Sequence, residues 1–289
     1  MQLRQILQDS TRTLSFEIFP PKTAEGEKNL FVHLEKLQKF NPTFISVTMG
    51  AMGSETGKTF DIVERINKNL GTHGVAHLTC VSSAKDEILK SLEDLQRRNI
   101  RNILCLRGDP VQGSKTFIAP KNGFHHASEL VAFVREQTKD YFSIGVAGYP
   151  EKHIEACSLE EDLDHLRSKV NAGADFIITQ LFFDNADYFQ FARLCRSKQI
   201  TCRILPGLMP VTNYTQIQKF TGMCGAKIPK STKKDLEEIQ SNPQAVKSYG
   251  IQHATNQALE LMGQSAPGLH FYILNQSESV EKICERVWY

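Results

Sequence analysis

At 289 residues the chain exceeds a typical domain of about 100–150 residues, so its length suits two domains or one barrel. Apolar residues make up 40%, enough for a large core, and 34 Lys and Arg against 32 Asp and Glu leave a formal charge of +2, which excludes a strong nucleic-acid signal. No membrane span and no apolar secretory stretch is present, and seven scattered Cys without a C-x-x-C pair argue against a disulfide framework or a thiolate zinc site, so a cytoplasmic protein without metal is expected.

Short apolar, β-branched or aromatic runs recur in chain order at Leu14–Phe19, Phe44–Met49, Val75–Val81, Ile103–Leu106, Phe142–Gly148, Phe176–Phe183, Arg203–Leu208 and Leu269–Leu274. Segments of helical period separate them: Lys28–Phe40, Thr59–Asn69, Lys85–Arg98, Ser128–Thr138, Leu159–Ala172 and Ala186–Lys198. Ser158 with Glu161 three residues on is a capping-box pattern, and Gly173 suits the end of that helix. The interval from Leu208 to Leu269 carries roughly two helical stretches, Thr215–Phe220 with Lys234–Ile239, and Pro243–Met262, so an insertion follows the seventh strand. Strands alternating with helices imply a parallel sheet, and eight βα units predict a single (β/α)8 barrel with extra helices after strand seven. An open doubly wound sheet is the runner-up, weakened because no G-x-G occurs.

A barrel presents its chemistry at the C-terminal ends of its strands. In strand one, alternation puts Ser15, Glu17 and Phe19 on one face, with Glu17 pointing inward. Burial raises a carboxyl pKa and would make Glu17 a general acid; a structural Glu paired with a buried Arg or Lys is the alternative. Strand two runs into the small-residue stretch Gly50-Ala51-Met52-Gly53, either a close backbone approach to a ligand or a plain turn. His77 in strand three is either a satisfied core residue or functional; no metal-ligand spacing accompanies it. Arg107-Gly108-Asp109-Pro110 stands at the end of strand four, and Tyr149 to His153 at the end of strand five. Gln180 embeds an amide in the sixth apolar run, where it needs a ligand or a backbone carbonyl as partner. Lys227, Lys230, Lys233 and Lys234 form either a solvated face or a site for a polyanionic tail. With no nucleophile–base pair and no Gly-rich phosphate loop, these residues describe a barrel enzyme with one buried acid and aromatic walls suited to a flat heterocycle.

Ser15-Phe16-Glu17-Ile18-Phe19-Pro20-Pro21, His77-Leu78-Thr79-Cys80, Leu106-Arg107-Gly108-Asp109-Pro110, Gly148-Tyr149-Pro150-Glu151-Lys152-His153, Gly173-Ala174-Asp175 through Phe183, Leu205-Pro206-Gly207 and His270 through Asn275 occur together in this order. In that, nearly the whole chain resembles the methylenetetrahydrofolate reductase family. The resemblance implies a flavin-carrying barrel that reduces 5,10-methylenetetrahydrofolate to 5-methyltetrahydrofolate, with NADH or NADPH as hydride donor and ping-pong use of FAD. It implies Glu17 as the acid that protonates the folate N10, and Asp109 as a carboxylate near flavin and pterin. Gln180 would bind the pterin, and Phe220 would stack on nicotinamide or aminobenzoate. For FAD the matching positions are Thr48, His77, Arg107, Gly108, Asp109, Tyr149, His153, Asp162, His165 and Lys169, with Arg107 and Lys169 toward the pyrophosphate. Asp162, His165 and Lys169 share one helix face by their i, i+3, i+7 spacing. Gln276 stands where the family commonly has Arg at the folate tail. The resemblance also implies a homo-oligomer. Eukaryotic relatives carry an S-adenosylmethionine-binding regulatory domain, whereas the length here predicts a single flavin-binding domain over residues 1–289, and with it no inhibition by that ligand. A proline dehydrogenase-like flavin barrel, a non-catalytic flavin or folate module and a flavin-free aldolase-like barrel are the competing readings.

Overall fold

The computed structural model describes residues 1–49, 56–110 and 117–288. The barrel strands are β1 (Thr13–Ile18), β2 (Phe44–Val47), β3 (His73–Thr79), β4 (Asn102–Leu106), β5 (Ser143–Gly148), β6 (Phe176–Thr179), β7 (Arg203–Leu205), β8 (Gly207–Leu208) and β9 (Gly268–Tyr272), all paired in parallel. Pro206 lacks an N–H and divides the seventh apolar run into β7, which pairs with β6, and β8, which pairs with β9. The sheet order is β7-β6-β5-β4-β3-β2-β1-β9-β8, so two consecutive segments lie at its two ends and close the barrel. The eight predicted strands are thus present, and the fold is a (β/α)8 barrel.

Around it run α2 (Ala24–Leu37), α3 (Thr56–Asn69), α4 (Lys85–Arg97), α5 (Ala127–Thr138), α6 (Leu159–Asn171) and α7 (Asn185–Ser197). Ser158 caps α6 by accepting from the Glu161 amide at 3.1 Å, and Gly173 follows that helix at φ +115. After β8 come three helices, α8 (Tyr214–Cys224), α9 (Lys230–Ile239) and α10 (Pro243–Gly263), where the sequence pattern grouped the first two as one stretch. Gly225, left-handed at φ +79, ends α8 and makes them separate. Two further helices lie outside the predicted set: α1 (Leu3–Asp9) and α11 (Glu278–Val287).

Strand alternation sorts the apolar side chains into layers. Leu14, Phe16, Ile18, Ile45, Val47, Ala76 and Leu78 face outward and pack beneath the helices. Phe44, Val75, Leu104, Phe176, Ile178 and Leu205 fill the barrel interior together with Leu3 and Leu7 of α1. α1 plugs the N-terminal mouth, with the Leu3 amide donating to Asn102 Oδ1 at 2.8 Å and the Arg4 amide to Ser143 Oγ at 3.0 Å. A third cluster, including Leu181, Phe183, Met209, Tyr214 and Ile217, joins α8–α10 to the loop after β6.

Candidate active site

Above the apolar interior layer the inward positions become polar. Register sets Glu17 beside Ser46 on one flank and Tyr272 on the other, and Ser15 beside His270. The Ser46 hydroxyl donates to Glu17 Oε2 at 3.1 Å, while His77 Nε2 and His270 Nε2 approach the same oxygen at 3.2 and 3.5 Å. Among the described residues all of these contacts converge on Oε2, and neither imidazole Nε2 has a conventional hydrogen bond. Glu17 is 8% exposed. The expectation of a raised pKa is therefore corrected: burial does push the carboxyl up, but the two imidazoles outweigh it and hold Glu17 well below the ordinary carboxylate range. The partner of the buried carboxylate is a pair of histidines rather than Arg or Lys.

The ends of β4 and β5 bring a second group together. Arg107 is half-buried, its guanidinium stacked 4.6 Å over the Phe117 ring and held by both carboxylate oxygens of Glu155 at 2.6 Å. This arrangement places a protein carboxylate on a cation expected to meet pyrophosphate. Gly108 sits at φ +88, and a Cβ there would come within 2.5 Å of Val81 Cγ1, so the turn requires glycine. Asp109 beside it is exposed. Tyr149 packs edge-on against His153, with ring centroids 4.7 Å apart, and Lys169 Nζ lies 5.6 Å from the Tyr149 ring. Burial raises the Tyr149 phenol and lowers the His153 imidazole. Asp162, buried, accepts from the His153 amide at 3.0 Å. Lys169 donates to the Ala147 carbonyl at 2.9 Å, and burial pushes its amine down to about 8 against the pull of Asp162. His165 differs from its two helix neighbours in being exposed, 6.1 Å from the His126 ring.

Thr48 follows β2 and donates its amide to the Ile18 carbonyl at 2.9 Å, which puts it next to the end of β1. Gln180 lies just past β6, half-buried rather than buried, because the strand ends at Thr179. Its Oε1 accepts from the Leu181 amide at 2.9 Å, so its carbonyl oxygen is served by its own chain. Phe220 on α8 is partly buried and packs in the cluster that holds Leu181, Tyr272 and Leu274. Gln276 is exposed beyond β9, in a turn where Leu274 and Asn275 both have left-handed φ. Asn275 ties that turn to the end of β1, accepting from the Phe19 amide at 2.9 Å and donating to its carbonyl at 2.8 Å. Lys227, Lys230, Lys233 and Lys234 are exposed, and Lys233 and Lys234 reach Glu237 and Glu238, a solvated face. Gly50, Ala51, Met52 and Gly53 lie outside the described residues.

Sequence reasoning missed His270, Ser46 and Glu155. The signal for the first was present: His270 and Tyr272 share a strand face by period two, as do Ser15 and Glu17.

A family model described as methylenetetrahydrofolate reductase matches residues 2–288. "Methylenetetrahydrofolate reductase (NADH) 1" of Arabidopsis thaliana is 39% identical over 287 residues, covering 96% of this chain and 48% of its own length. "5,10-methylenetetrahydrofolate reductase" of Escherichia coli (strain K12) is 36% identical over 271 residues, covering 94% of this chain and 89% of its own. The chain thus spans about half the length of the plant relative and most of the bacterial one. A solved protein from Clostridium thermocellum, described as binding two copies of 5-methyl-5,6,7,8-tetrahydrofolic acid, shares the fold at TM-score 0.66 and 16% identity, covering 99% of this chain and 98% of that one. No helix among the described residues is long and apolar enough to cross a membrane.

Proposed function

The chain belongs to the methylenetetrahydrofolate reductase family, and on that premise we propose that it reduces 5,10-methylenetetrahydrofolate to 5-methyltetrahydrofolate in ping-pong fashion, using FAD and a reduced nicotinamide. The observation that carries the proposal is a single carboxylate, Glu17, set among hydroxyls and imidazoles inside the barrel, one strand from the end of β2 and three from the cationic rim of β4. NADH is the first donor to assay, since it stands in the name of the Arabidopsis relative.

The rim fits a flavin dinucleotide. Lys169 is half-buried, and an anionic pyrophosphate would stabilise the ammonium that burial disfavours. Arg107 already binds a carboxylate with a two-pronged geometry that suits phosphate equally. Gly108 lets the backbone pass closely where a side chain has no room. Thr48, His77, Asp109, Tyr149, His153, Asp162 and His165 complete the cofactor surface in this proposal. When bound, the flavin supplies the ring that carries hydride between the two substrates.

Glu17 acts on the folate. Its carboxyl donates a proton to N10, opening the five-membered ring so that the one-carbon unit can take hydride. The imidazoles favour the ionised form, so Glu17 must receive a proton before it gives one to N10, and His77 Nε2, 3.2 Å from the same oxygen, stands where it could pass one on. Asp109 and Gln180 orient the pterin, the Phe220 ring stacks on the nicotinamide or the aminobenzoate, and Gln276 lies by the folate tail, where its uncharged amide makes a weaker contact than an Arg would.

Two measurements test this. The purified protein is expected to be yellow and to release flavin on denaturation; a colourless preparation that gains no flavin on reconstitution overturns the assignment. Glu17→Gln is expected to cut folate reduction by about 10²–10⁴-fold, the usual worth of a positioned acid, while reduction of the flavin by nicotinamide continues. Retained folate reduction in that variant refutes the acid role.

A further inference from the structure

The proposed reaction assigns no task to a fully buried histidine of the barrel. His270, on β9, is fully buried. Its ring stacks on Phe44 (centroids 5.7 Å apart, planes at 23°) and meets Tyr272 edge-on at 5.3 Å. Its Nδ1 lies 2.8 Å from Ser15 Oγ, the shorter of that hydroxyl's two contacts, the other being the Leu269 carbonyl at 3.3 Å. A Ser15 hydroxyl that donates to the Leu269 carbonyl accepts from an Nδ1–H, whereas one turned along the shorter contact donates to Nδ1 and puts the ring proton on Nε2. Nε2 has no conventional hydrogen bond and faces Glu17 Oε2 at 3.5 Å. A ring clamped on three sides with an unpaired polar atom is a poor choice for filling space, since an apolar residue would fill it without burying a donor. Its only polar outlook among the described residues is the Glu17 carboxyl.

We propose that His270, held in place by Ser15, is a positioning residue for Glu17: it anchors Oε2, leaves Oε1 for the substrate, and governs the pH at which Glu17 gives up its proton. The inference rests on the folate-reductase reading above. Among the described residues, three groups contact the carboxyl. β2 supplies the Ser46 hydroxyl, β3 supplies His77, and β9 supplies His270. Tyr272, the register neighbour on β9, turns its hydroxyl away to the Thr179 carbonyl at 2.6 Å. The Ser46 hydroxyl donates to Oε2 and two imidazole nitrogens lie within 3.5 Å of it, an arrangement that favours the carboxylate, so loss of His270 makes Glu17 hold its proton to higher pH.

His270→Phe removes both ring nitrogens and keeps the stacking on Phe44; Ser15→Ala removes only the anchor. Both are expected to move the alkaline limb of folate reduction upward, by on the order of one pH unit for His270→Phe and less for Ser15→Ala. Flavin reduction by nicotinamide, which does not use the Glu17 proton, should keep its wild-type rate and pH profile. The Glu17 carboxyl itself can be followed by ¹³C NMR as the glutamate signal that disappears in Glu17→Gln, and its titration is expected to move upward in both variants. That titration reads the contact even in a protein that turns over no folate, so failure of the reaction assignment and failure of this inference give different results. An unmoved Glu17 titration and limb in a folded variant, or an equal loss in both half-reactions, overturns the role. If His270→Phe does not fold, Ser15→Ala carries the test alone.

Discussion

Glu155 occupies the place where an anion is most wanted. Its two oxygens each lie 2.6 Å from the Arg107 guanidinium, and this pairing holds Glu155 below, and Arg107 above, their ordinary pKa values. A cofactor phosphate must compete with that carboxylate for the same two N–H groups. Glu155→Gln is therefore expected to tighten flavin binding a few-fold, since a partly exposed pair of this kind is worth about 0.2–1 kcal/mol. Titrating apoprotein into flavin and following the quenching of flavin fluorescence measures it, and unchanged or weaker binding would sink the idea. At this scale the sequence was legible where strand period two applied: Glu17 points inward as read. It was not legible where partners come from distant strands. His77 and His270 meet Glu17 across separations of 60 and 253 residues, and it is they that reverse the effect of burial on its proton. Glu155 escaped notice for a related reason, since a loop carboxylate carries no periodic signal.

The elements divide in the same way. Six crossover helices and eight strands follow from periodicity because each buries one face against a regular neighbour. Gln180 was read as part of a strand because apolar residues flank it from Phe176 to Phe183; the last of them, Leu181 and Phe183, are apolar because α8–α10 cover them. α11 was readable in principle, with Val280, Ile283, Cys284 and Val287 at helical spacing, but the strand count ended before it. α1 is different. Seven residues are too few to form a helix alone, and this one exists because Leu3 and Leu7 enter the barrel floor while Asn102 and Ser143 take its first amides. The Arg203 guanidinium fastens its far end through the carbonyls of Leu7, Ser10 and Thr11. Leu7→Ala is expected to cost about 2–5 kcal/mol of stability, as for other core truncations, with the KM for folate unchanged because the plug lies at the opposite mouth. Urea unfolding with parallel kinetics decides it; an altered KM at unchanged stability would contradict the plug.

For the molecule as a whole, closing the barrel gathers Ser46, His77 and His270 from β2, β3 and β9 around one carboxylate on β1, so fold and acid are thermodynamically linked. Glu17 in the folded chain lies below its ordinary value of 4.5, to which it returns on unfolding. In acid the unfolded chain therefore binds the extra proton, and stability rises with pH. The contribution is complete above about pH 4.5 and drains away as pH falls toward the folded value, at no more than ~1.4 kcal/mol per pH unit for one proton. Glu17→Gln cannot titrate and has no such slope. Whatever the offset between the two proteins at neutral pH, the stability of wild type minus that of Glu17→Gln is expected to fall between about pH 6 and about pH 3.5. Urea midpoints across that range measure the difference. A gap that stays constant would mean that the imidazoles do not hold the carboxylate in its ionised form, and a gap that widens in acid would mean that burial wins and Glu17 rests as the neutral acid.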